Sequence, residues 1–454
     1  MYRIGSAEGF YGDDVARALP MIERGLVDVV CFEALSELTL AILRRDQMRD
    51  PQLGYTRDIE VIAERILPVA YARKIPLITN GGGLNPLSAA EATRATAERL
   101  GLRGLRIAVV TGDDLLPRLP DLLAAGELFT NIETGEPLRL EGAPIVTANA
   151  YLGARPIMGA LADGADIVIT GRIADPALYL APLAHYFGWR DDEWNRLASG
   201  SICGHLLECT GQIVGGNSLA SIDLMEPEAL ANPGYPIAEV EADGSFTITK
   251  VPGAPGRVSL ETVKEQLLYE MHDPRAYITP DVVADITTLR LEDGGVDRVR
   301  VSGVTGRATT SSLKVNIARL EGYSRELIFT LGWPRAWRKE EQLRGMLEAA
   351  WRDLPITRVE YTHLGLDSLF GPIEPPPSDP MELVTRVMLT AADAATLKAA
   401  VRRAMALGLS GPAGMSVSGG TVGAEPRPLL GLWPALIQRE RVEPHVSVTM
   451  LEVS

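Results

Sequence analysis

The stretch that decides the fold is GADIVITGRIADP, residues 164–176. Its first half, ADIVIT, is short and rich in β-branched apolar residues, which is typical of a parallel strand buried on both faces. The chain then turns sharply at Gly171, and a helical segment follows. This unit of strand, turn and helix predicts a parallel sheet and puts Arg172 and Asp175 at the carboxyl end of a strand.

The same unit recurs through the first two hundred residues. Apolar residues at helical spacing predict a helix over 58–71, which Pro68 should kink or end. A second helix is predicted over 85–100, with Asn85 as its N-cap and Pro86 at its first position. A closed barrel would show more regular units, so we expect an open doubly wound, mostly parallel sheet. The predicted strands are 2–5, 27–32, 75–79, 105–110, 144–147 and 165–170.

An antiparallel, β-rich extension is predicted from about residue 245. Valines alternate with charged residues at 298–302, and LKVNIARL at 313–320 alternates in the same way. The tetrapeptide EGYS separates that run from a second strand-like run, which predicts an antiparallel hairpin. Helices are predicted over 260–271 and 338–352.

The end of the chain has the pattern of a separate α+β unit. A strand is predicted over 382–389 and a helix over 393–408, with Gly408 as a natural end of that helix. The closing HVSVTML alternates and is assigned to the same unit, which follows a Pro-rich connector at 372–380. The predicted domains are 1–355, with a β-rich insertion at about 245–335, and 356–454.

Composition excludes several classes of partner. The 454 residues are 46% hydrophobic and carry a formal net charge of −15. Nucleic acids and anionic membrane surfaces both require a basic face, so we expect neither as a partner. Cys31, Cys203 and Cys209 form an odd, sparse set that fits a reducing compartment. No leader or membrane-length apolar run is recognisable, so we expect a cytoplasmic protein.

Glycines and polar residues cluster where the predicted parallel strands end. Ligands of open α/β sheets bind beyond these ends, where glycines allow close backbone approach and helix N-termini favour anions. Two alternatives stay open, namely that the NGGG turn is only a flexible connection and that Asp113 only caps a helix. The predicted substrate-binding residues are Gly9, Asn80, Gly81, Gly82, Asp113, Asn149 and Arg172.

Arg172 is the strongest candidate for binding an anion. It is predicted at the start of a helix, where a cation serving only stability would oppose the helix dipole. Its planar guanidinium fits a carboxylate or a phosphate. The alternative is an internal ion pair with Asp175, three residues further along. We favour the ligand-binding interpretation.

Four residues are candidates for acid–base catalysis, namely Glu33, Asp175, His205 and Glu208. The chain has only five histidines, and His205 lies beside glycines and would share a helix face with Glu208. Cys203 and Cys209 flank this pair as metal ligands would. The segment lacks a second histidine, however, and its leucines indicate a half-buried helix, so we expect no stoichiometric zinc.

A nicotinamide or flavin cofactor is not expected either. The first turn, GSAEGFYG, has Ala7 where a dinucleotide-binding fingerprint has its second glycine. No nucleophile elbow and no phosphate-binding Walker loop occurs in the chain. We therefore predict chemistry without a bound cofactor.

A series of motifs spans the chain from its first residues to its last. In order they are IGSAEGFYGD, VDVVCFEALSE, NGGGLNP, TGDD, ANAYLGA, ADIVITGRIADP, GHLLECTGQIVGG, QLLYEMHDPRAYITPDV and SGPAG. Together they resemble the acyclic terpene utilisation AtuA family, although Ser6 and Glu8 depart from the commoner form of the first motif. The resemblance implies a carboxylated or 3-hydroxy acyl-CoA substrate, since some members accompany branched acyl-CoA catabolism.

Three functions follow as hypotheses. The first is a catabolic enzyme that acts on an anionic, branched, CoA-linked acyl substrate by acid–base addition–elimination or C–C lyase chemistry. The second is a non-catalytic binding subunit that partners a carboxylase, and it predicts tight binding without turnover. The third is a hydrolase of a natural-product ester or amide, which needs only water as co-substrate. We also expect the chain to form a homo-oligomer.

Overall fold

Strands and helices alternate through the first third of the chain in this computed structural model, which describes residues 1–371, 378–418 and 424–454. The predicted Pro-rich connector lies mostly outside the described residues. The strands are β1 (Tyr2–Ser6), β2 (Val29–Phe32), β3 (Leu77–Thr79), β4 (Arg106–Thr111), β5 (Ile145–Ala150), β6 (Ile167–Thr170), β7 (Pro236–Val240), β8 (Phe246–Lys250), β9 (Tyr277–Ile278), β10 (Val283–Asp285), β11 (Arg290–Asp293), β12 (Val299–Ser302), β13 (Thr305–Arg307), β14 (Ser312–Gly332), β15 (Ile356–His363), β16 (Glu382–Ala391), β17 (Met415–Val417), β18 (Arg427–Gln438) and β19 (Ser447–Glu452).

Most helices are short, and several begin with a proline in their first turn, where its missing N–H costs nothing. They are α1 (Leu19–Glu23), α2 (Glu37–Arg49), α3 (Asp58–Val61), α4 (Leu67–Arg73), α5 (Pro86–Arg99), α6 (Leu119–Ala124), α7 (Arg155–Ala162), α8 (Asp175–Phe187), α9 (Trp194–Leu207), α10 (Ser221–Leu224), α11 (Pro227–Ala231), α12 (Leu260–Leu268), α13 (Ala336–Trp351) and α14 (Ala394–Ala406). None of the described helices is long and apolar enough to cross a membrane.

The described residues divide into two compact units. The first unit comprises Met1–Leu138, Val146–Ile317 and Trp433–Ser454, and the second comprises Arg139–Ile145 and Ala318–Leu432. The predicted domain boundary at residue 355 stays a prediction.

The first unit is built on a ten-stranded mixed sheet with the order β11-β12-β8-β7-β1-β2-β3-β6-β4-β19. The five strands from β1 to β4 in that order are parallel. The strands on either side are antiparallel to their neighbours. The α/β class, the open sheet and the antiparallel extension are therefore confirmed.

The parallel strands are buried on both faces, as their composition predicts. In β2, Val30 and Phe32 belong to the core formed with helices α1, α3, α4 and α5 and the π-helical turn Ile62–Ile66. Cys31 points the other way, and its thiol donates a hydrogen bond to the carbonyl of Leu178 in α8. Two layers of helices thus cover the sheet, and this arrangement leaves the ends of the strands as the polar edge.

Two local predictions about helices are confirmed. The π-helical turn Ile62–Ile66 interrupts the helical run immediately before Pro68, which lies in the first turn of α4. Proline cannot donate to a carbonyl in the preceding turn, which accounts for the change of helix type. The side chain of Asn85 caps α5 by accepting a hydrogen bond from the N–H of Ser88.

Three predictions about strands are wrong. Strand β5 does not join the parallel sheet but pairs with β14. The predicted hairpin at EGYS is one continuous strand, β14, in which Gly322 adopts a left-handed φ of +129° instead of forming a loop. The closing segment does not belong to the α+β unit, because β19 pairs with β4 at the edge of the large sheet.

The second unit is an antiparallel sheet covered by two helices. Strands β15, β16, β14 and β17 are neighbours in that order. Its core joins Leu327 and Phe329 of β14 to Leu343 of α13 and Leu397 of α14. The predicted C-terminal α+β unit is thus confirmed, and with Leu407 as the C-cap of α14, Gly408 occupies the predicted C′ position.

Candidate functional site

The carboxyl ends of the five parallel strands lie side by side at one edge of the first unit's sheet. The turns that follow these strands carry the predicted site residues. Gly9 follows β1, Glu33 follows β2, Asn80 follows β3, Asp113 follows β4 and Arg172 follows β6. Because neighbouring parallel strands end at the same edge, the fold gathers residues that lie far apart in sequence.

Arg172 is the centre of this cluster and is only 2% exposed. Its Nη1 donates to the carbonyl of Leu35 at 2.8 Å and to Asp175 Oδ1 at 2.7 Å. Nη1 also lies 4.0 Å from Glu33 Oε1. The buried Nε has no hydrogen-bond partner among the described residues. The ion pair with Asp175, which was the alternative interpretation, therefore exists, and one guanidinium donor remains unpaired.

Glu33 is a buried carboxyl group beside this ion pair. Its Oε1 accepts hydrogen bonds from Asn80 Nδ2 and from the N–H of Leu35, both at 2.8 Å. Burial raises the pKa of Glu33 well above its ordinary value, and the charge of Asp175 raises it further. Arg172 opposes this shift without reversing it. Burial raises the pKa of Asp175 as well, although the charge and the hydrogen bond of Arg172 oppose that shift.

Asp113 and Asn149 hold the loop that carries Arg172. Asp113 Oδ2 accepts the backbone N–H of Arg172 at 2.8 Å and Asn149 Nδ2 at 2.9 Å. A Cβ atom at Gly171 would lie 2.3 Å from Asp113 Oδ1, so only glycine fits there. Burial raises the pKa of Asp113 to about 6, against the hydrogen bonds from Arg172 and Asn149. Contacts with Asp113 therefore fix the position of the turn at Gly171 and Arg172.

The three predicted substrate-binding glycines approach other protein atoms closely. This packing explains the glycines without a ligand, and their role in substrate binding stays a prediction. A Cβ atom would lie 2.7 Å from Thr210 Oγ1 at Gly9, 2.7 Å from Thr56 Oγ1 at Gly81 and 2.5 Å from the Thr170 carbonyl at Gly82.

His205 and Glu208 form a second buried pair, on α9 and at its C-cap. His205 Nδ1 lies 3.1 Å from Glu208 Oε1, and Nε2 lies 3.4 Å from the carbonyl of Leu267. Burial raises the pKa of Glu208 to about 7, although His205 opposes the shift. Burial alone would lower the pKa of His205, but the hydrogen bond and charge of Glu208 outweigh it and raise that pKa. The pair therefore exchanges protons near neutral pH.

Electrostatic coupling joins the two groups of site residues. The charge of Asp175 adds to the raised pKa of Glu208. Burial raises the pKa of Tyr277, and the charges of Glu208, Asp175 and Glu270 add to that shift. The ring of Tyr277 lies 5.2 Å from the ring of His205. Glu270 has a left-handed φ of +56°, a strained conformation of the kind that concentrates at functional sites.

Three further residues complete the surroundings of Arg172 and were not predicted. The Tyr151 ring lies between the Arg172 guanidinium, at 4.2 Å, and Lys314 Nζ, at 4.6 Å. The hydroxyl of Tyr151 donates to Glu37, and Lys314 Nζ lies 3.1 Å from Glu37 Oε1. Burial opposes ionisation of Glu37, but these partners lower its pKa to about 2. The pairing of β5 with β14 brings Lys314 here, and no local pattern indicates that pairing.

Glu8 is another carboxyl group that the motif analysis did not assign. It is fully buried at the end of β1, and its carbonyl accepts the N–H of Glu33 at 3.1 Å. Burial raises the pKa of Glu8 well above its ordinary value, and the neighbouring carboxyl group of Asp58 adds to the shift. The edge of the sheet therefore holds a second buried carboxyl group whose pKa is raised.

The buried carboxyl groups at the strand ends are not arranged as a metal site, and they do not line the cavity found in this unit. No group of three or more His, Cys, Asp or Glu side chains in the described parts of the chain is arranged to hold a metal ion. The absence of zinc stays a prediction. A cavity of about 690 Å³ in the first unit is lined by other residues. Titratable groups with shifted pKa values concentrate at active sites, so the strand ends are the candidate active site.

Comparison with known proteins gives one match. A model of the family described as acyclic terpene utilisation family protein AtuA matches residues 2–448. No curated protein and no solved structure matches the chain. Because the match covers nearly the whole chain, the protein belongs to the acyclic terpene utilisation AtuA family, which indicates a catabolic role.

Proposed function

We propose that the protein is an enzyme that transfers protons on an anionic, branched acyl substrate, carried as a CoA thioester, at the carboxyl edge of the parallel sheet. The observation that carries the proposal is the pair of carboxyl groups beside Arg172. Burial raises the pKa of both groups, that of Glu33 well above its ordinary value, whereas the contact with Arg172 at 2.7 Å favours the ionised form of Asp175. An acid and a base whose environments separate their protonation states are what addition–elimination chemistry requires.

In an elimination, a base removes the proton next to the thioester carbonyl, and an acid protonates the leaving hydroxyl. The C–H and C–O bonds break, a C=C bond forms and water leaves. Glu33 is assigned as the acid, and Asp175 or the pair of His205 and Glu208 as the base. The unpaired Nε of Arg172 is assigned to a substrate carboxylate, so Arg172→Lys should weaken substrate binding by about 1–3 kcal/mol. The C–C lyase alternative uses the same acid and base.

The test uses a panel of branched, carboxylated and 3-hydroxy acyl-CoA thioesters in D₂O, followed by mass spectrometry. We expect deuterium incorporation next to the thioester carbonyl or formation of an unsaturated product. Glu33→Gln should slow formation of the unsaturated product by about 10²–10⁴-fold. The matched control is Glu91→Gln, an exposed position on α5, which should retain the wild-type rate.

The alternatives give different results. Saturable binding without exchange or turnover would identify a binding subunit. Release of free CoA or another hydrolysis product would identify a hydrolase. Equal rates for wild type and Glu33→Gln would contradict the assigned acid.

A further inference from the structure

A second site is suggested by the cavity of about 690 Å³ beside α7 and α8. Its volume falls within the range typical of small-molecule sites. Its walls are mainly apolar, and the buried lining residues include Leu152, Leu180, Ala184, Leu197 and Leu313. All of its lining residues belong to the first unit. None of the carboxylates described above lines this cavity.

One carboxyl group, that of Asp281, lines this apolar space. Asp281 Oδ1 accepts the N–H of Ala154 at 2.9 Å, at the start of α7. A Cβ atom at Gly153 would lie 2.5 Å from the same oxygen, so the backbone holds the side chain closely. Asp281 forms no ion pair within the described parts of the chain, although it is half-buried. A carboxylate fixed in an apolar wall is a selective partner for one polar group of a ligand.

The other charges that line the cavity are paired with each other. Arg155 forms an ion pair with Asp191, and Arg439 lies 2.9 Å from Glu443. Because both arginines pair with other carboxylates, neither forms a direct ion pair with Asp281. The cavity lining therefore favours a cation over an anion.

We propose that this cavity binds a small apolar molecule carrying a single amine, with the ammonium group on Asp281 and the hydrocarbon part against the leucines. The inference is independent of the proposed function, because the anionic acyl substrate assigned to the strand ends has the opposite charge. It gives the protein a second ligand of a different chemical class.

The ionisation of Asp281 makes the affinity for an amine depend on pH. Burial raises the pKa of Asp281 to about 6, whereas the N–H of Ala154 and the charges of Arg439 and Arg155 lower it, and Asp191 raises it slightly. Glu443 is the remaining titratable group of the lining. The carboxylate therefore forms as the pH rises through 6, so affinity for an amine should rise between pH 5 and pH 7.

Isothermal titration calorimetry with octylamine, 1-octanol and octanoate tests the proposal on the intact chain. We expect octylamine to bind at least about tenfold more tightly than octanoate at pH 7, the scale of one charged hydrogen bond. Octylamine should also bind more tightly than 1-octanol at pH 7, and this difference in affinity should disappear at pH 5. Asp281→Asn retains an oxygen for the N–H of Ala154 and should remove the preference for the amine. Asp163→Asn, an exposed change at the other end of α7, is the matched control.

A second variant keeps the test decisive if Asp281→Asn does not fold. Ala184→Phe fills the cavity from α8 and should weaken binding of octylamine and 1-octanol by at least about tenfold. Octanoate binding as tightly as octylamine would overturn the proposal. Unchanged binding in Ala184→Phe would overturn it as well, and so would an Asp281→Asn variant that keeps the preference.

Discussion

Two buried histidines, one in each unit, have similar partners but different electrostatics. His205 lies 3.1 Å from Glu208 in the first unit. His363 in the second unit lies 2.8 Å from Asp367, and its other ring nitrogen lies 3.7 Å from Glu340. Each histidine pairs with a carboxylate three or four residues further along the chain. Their sequence contexts do not distinguish them.

The difference lies in the carboxyl groups. Burial tends to raise the pKa of Glu340 and of Asp367, but the nearby His363, together with Arg344 at Glu340, outweighs it and lowers both. Arg344 also pairs with Glu340 at 2.8 Å. The carboxylates of the second-unit cluster therefore stay charged near neutral pH, as those of a structural ion network do. Around His205 the pKa of Glu208 rises to about 7, so its proton is exchangeable in the range where enzymes work.

A histidine–carboxylate contact therefore does not by itself indicate a catalytic group. What matters is whether the surrounding charges fix the proton or leave it mobile. An additional cation, Arg344, reaches the cluster around His363. Around His205 the neighbouring charges are acidic, with Asp175 and Glu270 adding to the shift. We therefore expect the first cluster to act on substrates and the second to stabilise its unit.

The largest expected effect is on turnover. His205→Gln removes the titrating ring and should lower turnover of the substrate found in the thioester panel by about 10²-fold or more. His363→Gln should leave it unchanged. Steady-state kinetics across pH adds a second readout, because Glu208→Gln should remove an activity limb near pH 7. Equal losses in the two histidine variants would erase the distinction between the clusters.

The next effect is on stability. His363→Gln should lower the free energy of unfolding at pH 6 by about 1–3 kcal/mol, measured by urea unfolding. The nearby carboxylates of Glu340 and Asp367 raise the pKa of His363 above its unfolded value, so this contribution is complete below the unfolded pKa. It is lost as the pH rises through the folded pKa, and the variant should match wild type by pH 9. His272→Gln, at an exposed histidine, is the control. A loss that is the same at pH 6 and pH 9 would rule out the charged network.

The smallest change in stability is expected for a substitution that involves no charged group. The side chain of Ser259 caps α12 by accepting a hydrogen bond from the N–H of Thr262 in a capping box. The same helix contacts His205 through the carbonyl of Leu267. Ser259→Ala should lower the free energy of unfolding by about 1 kcal/mol. Because neither partner titrates, urea unfolding should give the same loss at pH 6 and pH 9. A pH-dependent loss would mean that α12 is coupled to the titration of His205.

Local patterns predicted much of the fold. Apolar β-branched strands, the Asn85 cap and the break before Pro68 depend on short-range physics, and the structure has each of them. The failures all concern pairing between distant segments. The composition of β5 and β19 fits a strand in either sheet, so only tertiary contacts select their partners. The EGYS segment fails for a related reason, because Gly322 lets an extended strand continue where turn-like residues predict a loop.

The candidate site divides in the same way. Glu33, Asn80, Asp113 and Arg172 were predictable because parallel strands end at one edge. Tyr151, Glu37 and Lys314 were not, since the strand pairing that brings Lys314 to Tyr151 is non-local. Protonation states were also beyond the sequence. They depend on burial and on the balance of charges around Glu33, which no spacing of residues encodes.

The position of β19 has a consequence for how the chain folds during synthesis. Its pairing with β4 at residues 106–111 is made by residues 447–452, so the 335 residues between the two strands must be translated first. Until then β4 presents an open edge with unpaired N–H and carbonyl groups, which other nascent chains can extend. Premature termination before β19 should therefore yield aggregates, and slow translation of the second unit would lengthen the period in which the ribosome-bound chain depends on chaperones.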